Sequence, residues 1–215
     1  MLIHRGKRFA FLANPKTATT TIERWLSPDS VPGLTRISGE ARFKHTNYRT
    51  FVGLMGVYGE PVAEYEVACI VRHPLDKARS WYRYRCRPEI ADQPDRYLGD
   101  RTFASYVAEE ITRHAEGNLV PFLNLHFVTD DRGEVGVDRI FPFERIDAAL
   151  EYLRARLEVS TPLPQVALNR SADRDTSLPP DLERAFRQTF AGEIAWYESL
   201  SGSPDGYGHR PSGGA

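Results

Sequence analysis

Cysteine is scarce in this chain, with two among 215 residues. That excludes a disulfide-stapled secreted scaffold, and Cys69, set in the apolar run "YEVACIV", reads as a buried free thiol, with Cys86 near the end of a helix. Charge of one sign is missing too: 28 Lys and Arg against 29 Asp and Glu leave a net charge of -1. No global field exists to hold nucleic acid or an anionic membrane, so neither is an expected partner and any polyanion binding must be local. The opening "MLIHRGKRF" has no apolar signal region and no apolar run approaches the roughly 18 residues of a membrane span, so a soluble cytoplasmic protein is expected. Glycine is absent from residues 10 to 21. That stretch is where the chemistry begins.

What is present reads as one globular domain over 1–200, with a flexible tail, "SGSPDGYGHRPSGGA", over 201–215. "KRFAFLA" (7–13) predicts a buried strand, followed tightly by a helix over 20–26; residues 27–44 read as a loop. A helix is expected at 47–59, a second buried strand at 65–71, and a helix from about 75 to 86 entered at Pro74. Residues 88–101 read as a mobile excursion, and 102–114 as a helix with Phe103, Tyr106, Val107 and Ile111 on one face. Then come a strand at 138–143, a helix over 146–157, a loop over 159–180, and one last helix from Pro179-Pro180-Asp181 to about Leu200. Strands alternating with helices predict an α/β fold, a P-loop-like parallel sheet flanked by helices, in which ligands collect at the carboxyl ends of strands.

Two stretches lie at predicted strand ends. The first, "NPKTATTT" (14–21), offers Lys16, the hydroxyls of Thr17, Thr19, Thr20 and Thr21, and the unpaired N–H groups of a first helical turn, a combination suited to a phosphate or sulfate. An ordinary nucleoside triphosphate loop carries glycines and places its lysine at the helix start; here the lysine comes before the turn. The second, "VRHPLDKARSWYRYR" (71–85), carries Arg72 off the strand and Ser80 into the helix, and from Arg72 to Arg87 there are six basic residues and one acid, Asp76. A guanidinium with a hydroxyl suits a phosphate monoester.

Together these stretches resemble the sulfotransferases that take their sulfuryl group from 3′-phosphoadenosine 5′-phosphosulfate (PAPS). Pro15-Lys16-Thr17-Ala18-Thr19-Thr20-Thr21 is similar to that family's 5′-phosphosulfate loop, P-K-[ST]-G-[GT]-[TS], with Ala18 where glycine is common. If the backbone at 18 takes a positive φ, alanine there costs about 1 kcal/mol. Arg72, Pro74, Asp76, Ser80 and Tyr82 match the 3′-phosphate motif V-R-[ND]-P-x-[DE]-R-x-x-S-x-[YF], while His73 and Lys77 depart from it. "FPFERI" resembles a later segment of the family, which would give Glu144 a structural role, and "LPQVALNRSAD" resembles a loop of the carbohydrate type, which would bring Arg170 or Ser171 to the nucleotide.

The resemblance implies transfer to a hydroxyl of a glycan or glycosylated small molecule, with adenosine 3′,5′-bisphosphate as product and no metal. Lys16 would stabilise the leaving oxygen. The residues alone leave the base open among six histidines, the carboxylates and no dedicated base at all; the resemblance points to His45, in a Lys44-His45 pair. Tyr82, Tyr84 and Tyr97 are candidates to stack on an acceptor or to pack half-buried. A nucleotide kinase or phosphotransferase with an unusual loop, and a nucleotide-binding domain without activity, are the competing readings.

Overall fold

The structure is a computed structural model that describes residues 1–36, 44–165, 174–200 and 207–208. The chain divides into two compact units: Met1–Arg72 with Asn124–Val166 and Tyr197–Ala215, and His73–Leu123 with Ala167–Trp196.

The first unit is built on a sheet. Its strands are β1 (Leu2–His4), β2 (Phe9–Leu12), β3 (Leu34–Arg36), β4 (Glu66–Val71), β5 (Arg139–Pro142) and β6 (Tyr207–Gly208), in the order β3-β1-β2-β4-β5-β6. β2, β4 and β5 run parallel and form the centre. All four residues of β2 and the last five of β4 are buried, as expected for strands covered on both faces. Alternate residues Phe9, Phe11, Ala13, Ala68, Ile70 and Phe141 join one apolar cluster with α1 (Thr19–Trp25) and with α6 (Ile146–Leu157), which contributes Ile146, Ala149, Leu150, Leu153 and Leu157 at helical spacing. α2 (Tyr48–Val57) is capped by Asn47, whose side chain accepts from Thr50 N at 3.0 Å. The short α5 (Leu125–Val128) precedes β5.

The α/β class and the two buried strands match the sequence reading. The sheet as a whole is mixed rather than parallel: β1 and β3 add antiparallel on one edge and β6 on the other. Residues 5–8 turn β1 straight into β2, with Arg8 at φ 47, and so short a link can only join antiparallel strands. β3 falls inside the stretch read as loop. Tyr207–Gly208 pairs with Arg139–Ile140, within the segment read as a flexible tail; the rest of 201–215 lies outside the described residues.

The second unit is helical: α3 (Pro74–Arg85), α4 (Phe103–Ala115) and α7 (Pro180–Thr189) close around Leu75, Ala78, Tyr82, Phe103, Tyr106, Phe122, Phe186 and Phe190. The single late helix expected from the sequence is two, with Phe190 at φ -107 separating α7 from α8 (Ala191–Ser199); Gly192, next to the break, weakens helical continuity. Residues 88–101 are tied down rather than loose. Ile90 and Leu98 are buried, and Leu98 N donates to Arg85 O at 2.9 Å. Both cysteines are buried free thiols. Among the described residues, no helix is long and apolar enough to cross a membrane.

Candidate active site at the ends of β2 and β4

The phosphate-loop candidate leaves β2 at Leu12 and reaches α1 within seven residues. Its backbone is unusual: Lys16 has φ 66 and Ala18 has φ 59, ψ 18, both left-handed. Backbone of alternating handedness can turn neighbouring N–H groups toward one side, the form in which backbone nests bind anions. The strain foreseen for alanine at position 18 is therefore present, and non-glycine residues stay in that region only where their surroundings hold them there. Thr17, fully buried, does part of the holding by donating from Oγ1 to Asn14 O at 2.8 Å. α1 begins without a side-chain cap; its first bonds run from Thr21 N and Ile22 N to Ala18 O, at 2.9 and 3.2 Å. The N–H groups of Thr19 and Thr20 come before these bonds, where the helix offers no carbonyl a turn earlier.

His45 and Lys44, which follow β3 in the chain, contact Ala13 and Thr20 on either end of this loop. The His45 ring sits with Nδ1 2.7 Å from Ala13 O. A carbonyl only accepts, so Nδ1 carries the proton and, in the neutral ring, Nε2 holds the basic lone pair. Burial pushes the His45 pKa below the ordinary imidazole value; the Ala13 bond opposes this and the neighbouring Lys44 charge adds to it. Lys44 Nζ donates to Thr20 Oγ1 at 3.1 Å and lies 3.5 Å from Glu23 Oε2. Glu23 is buried on α1, and no motif in the sequence singled it out.

Arg72 is the first residue beyond β4. Its Nη1 donates to Lys16 O at 3.3 Å, and its guanidinium lies 4.5 Å from the centre of the Phe143 ring. Its peptide is held by Asn124: Asn124 Nδ2 donates to Arg72 O at 3.0 Å and Arg72 N donates to Asn124 Oδ1 at 3.4 Å. Asn14 Nδ2 donates to Ile70 O at 3.0 Å and to Asn124 Oδ1 at 3.2 Å. Both asparagines are fully buried. Sequence reading missed them, because asparagine in a loop ordinarily signals a turn.

The structure thus groups Pro15, Lys16, Thr17, Ala18, Thr19, Thr20, Thr21, Lys44, His45 and Arg72 in the first unit. Ser80 belongs to the second unit, half-buried on α3; Arg170 and Ser171 lie outside the described residues. Lys77, a departure from the motif, is 1% exposed and donates to Leu123 O at 3.1 Å, so it holds the second unit together. Tyr82 packs in that unit's core, donating to Arg101 O at 2.8 Å. Glu144 accepts from the Tyr197 hydroxyl, a structural role as expected.

No family model matches the chain, and no curated protein matches it. Among solved structures it is similar to a sulfotransferase from Alicyclobacillus acidocaldarius, at 16% identity and a TM-score of 0.46, over 90% of this chain and 94% of that one. A likeness of that size leaves the chemistry to be read from the residues.

Proposed function

We propose that the chain is a sulfotransferase that moves the sulfuryl group of PAPS to a hydroxyl acceptor, a glycan or glycosylated small molecule. The observation that carries this reading is the left-handed pair Lys16 and Ala18, with His45 and Arg72 both bonded to the backbone of that same loop. An anion cradle, a neutral histidine and a guanidinium are the three parts that sulfuryl transfer from a 3′-phosphorylated donor needs.

In the proposed reaction the acceptor oxygen attacks sulfur in line. Its proton passes to His45 Nε2 as the new S–O bond forms. The bond from sulfur to the 5′-phosphate oxygen breaks, and that oxygen leaves with the electron pair, giving adenosine 3′,5′-bisphosphate. Lys16, the threonine hydroxyls and the loop N–H groups meet the charge gathering on the leaving oxygen. Arg72, with Ser80, would take the 3′-phosphate, a group that ATP lacks. Arg170 or Ser171 would contact the nucleotide.

Thermal shift sorts this reading from a kinase. Adenosine 3′,5′-bisphosphate without metal should raise the melting temperature, and ATP with Mg²⁺ should do little. Stabilisation by ATP with Mg²⁺ alone would sink the proposal. Turnover of labelled PAPS against a panel of hydroxyl acceptors then separates an enzyme from a silent binding domain.

A further inference from the structure

We infer that Asn124 is a positioning residue that sets the span between the two anion-binding groups, and through it the selectivity for a ligand carrying two phosphates. The inference rests on the proposed donor reading, in which Arg72 takes the 3′-phosphate and the 14–21 loop the 5′ end.

The ladder between β2 and β4 ends at Leu12 and Cys69, and β4 pairs with β5 only as far as Val71. Arg72 lies one residue beyond the last of these pairs. A primary amide presents the same donor and acceptor edge as a peptide group. Asn124 uses that edge on both the N–H and the C=O of Arg72, at 3.4 and 3.0 Å, and so supplies the missing rung. Its Oδ1 also accepts from Asn14 Nδ2 at 3.2 Å. Asn14 O accepts from Thr17 Oγ1 at 2.8 Å, and Arg72 Nη1 returns to Lys16 O at 3.3 Å. Together with the Lys16–Thr17 peptide link, these hydrogen bonds close a circuit through Asn14, Thr17, Lys16, Arg72 and Asn124. Asn14, Thr17 and Asn124 are each fully buried, and buried polar groups that pair with one another restrict the geometries open to them. The Arg72 peptide is therefore tied to the loop before any ligand arrives, and Arg72 Nη1 reaches the Lys16 carbonyl from there.

Calorimetric titration of the full chain with adenosine 3′,5′-bisphosphate and with adenosine 5′-monophosphate tests this. Wild type should prefer the bisphosphate, and Asn124→Ala should lose about tenfold or more of that preference while monophosphate affinity stays within about twofold. Equal losses for both ligands would make Asn124 a general support of the fold and overturn the inference. So would an intact preference in Asn124→Ala when Arg72→Ala abolishes it, and in that case the donor reading would stand. A wild type without any preference would remove the donor reading and the inference together. Should Asn124→Ala fail to fold, the wild-type protein still decides the matter: the Asn124 side-chain amide resonances should shift with the bisphosphate and not with the monophosphate. An amide that is unmoved while the bisphosphate binds would overturn the inference.

Discussion

Ala18 shows in one residue how the loop is built. Its φ of 59 places Cβ against the backbone, which costs an L-residue about 1–2 kcal/mol. Ala18→Gly should therefore raise stability by about 1 kcal/mol, read as a higher melting temperature, with the loop geometry kept. A fall in stability would mean that the left-handed turn is not held in solution. His45 makes the complementary case in charge. Its lowered pKa keeps the ring neutral, and able to accept a proton, down to a pH below the usual imidazole range. The acid limb of kcat/KM should accordingly lie below 6.5, the ordinary value. Lys44→Met removes a neighbouring cation that disfavours the imidazolium, so the limb should move toward higher pH. His45→Ala should leave bisphosphate binding intact and lower turnover by roughly a hundredfold or more; unchanged turnover would assign the proton to another group.

At the scale of elements, the sequence was most legible where periodicity is long. Helices at 74–85, 103–115 and 146–157, and the buried strands β2 and β4, were readable from spacing. β1, β3 and β6 were not, since two or three residues cannot display a period. The split at Phe190 was hidden for another reason. Apart from Gly192, the sequence on both sides of it favours helix, and Phe186 and Phe190 are drawn into the aromatic core beside Phe122. One contact between elements was equally invisible. A Cβ on Gly136 would come within 2.0 Å of the Tyr48 ring, at the start of α2 and just after His45. Gly136→Ala should thus destabilise the chain by about 1–3 kcal/mol through overpacking, measured by denaturant midpoint. A neutral result would mean that Tyr48 moves aside freely.

For the whole molecule, the near balance of charge means that anion binding depends on where a few cations are held, not on their number. Stability carries a pH signature of the same origin. Burial alone would raise the Glu66 pKa, but hydrogen bonds from Arg156 and Arg139 outweigh it and lower the value. A carboxylate with a lowered folded pKa contributes stability above its unfolded pKa and loses it as the pH falls through the folded one. His45 acts in the same direction over a different window. Below 6.5 the unfolded chain binds the proton more readily, so stability drops as the pH falls from there toward the folded pKa. Melting temperature should decline in two stages on acidification, the first removed by His45→Ala and the second reduced by Glu66→Gln. A profile flat from pH 7 to 5 would contradict the first stage.

Residue order by itself determined the α/β alternation, the strand-to-helix turns at 14–21 and 71–74, and the chemical character of Lys16, His45 and Arg72. These follow from spacing and side-chain type, which are local. Only the tertiary structure decided the left-handed backbone at Lys16 and Ala18, the approach of His45 to Ala13, and the buried amides of Asn14 and Asn124 that join residues 110 apart in the chain. Hydrogen bonds of that reach form only once the sheet has brought the strand ends side by side, and no local pattern records which partners will meet there.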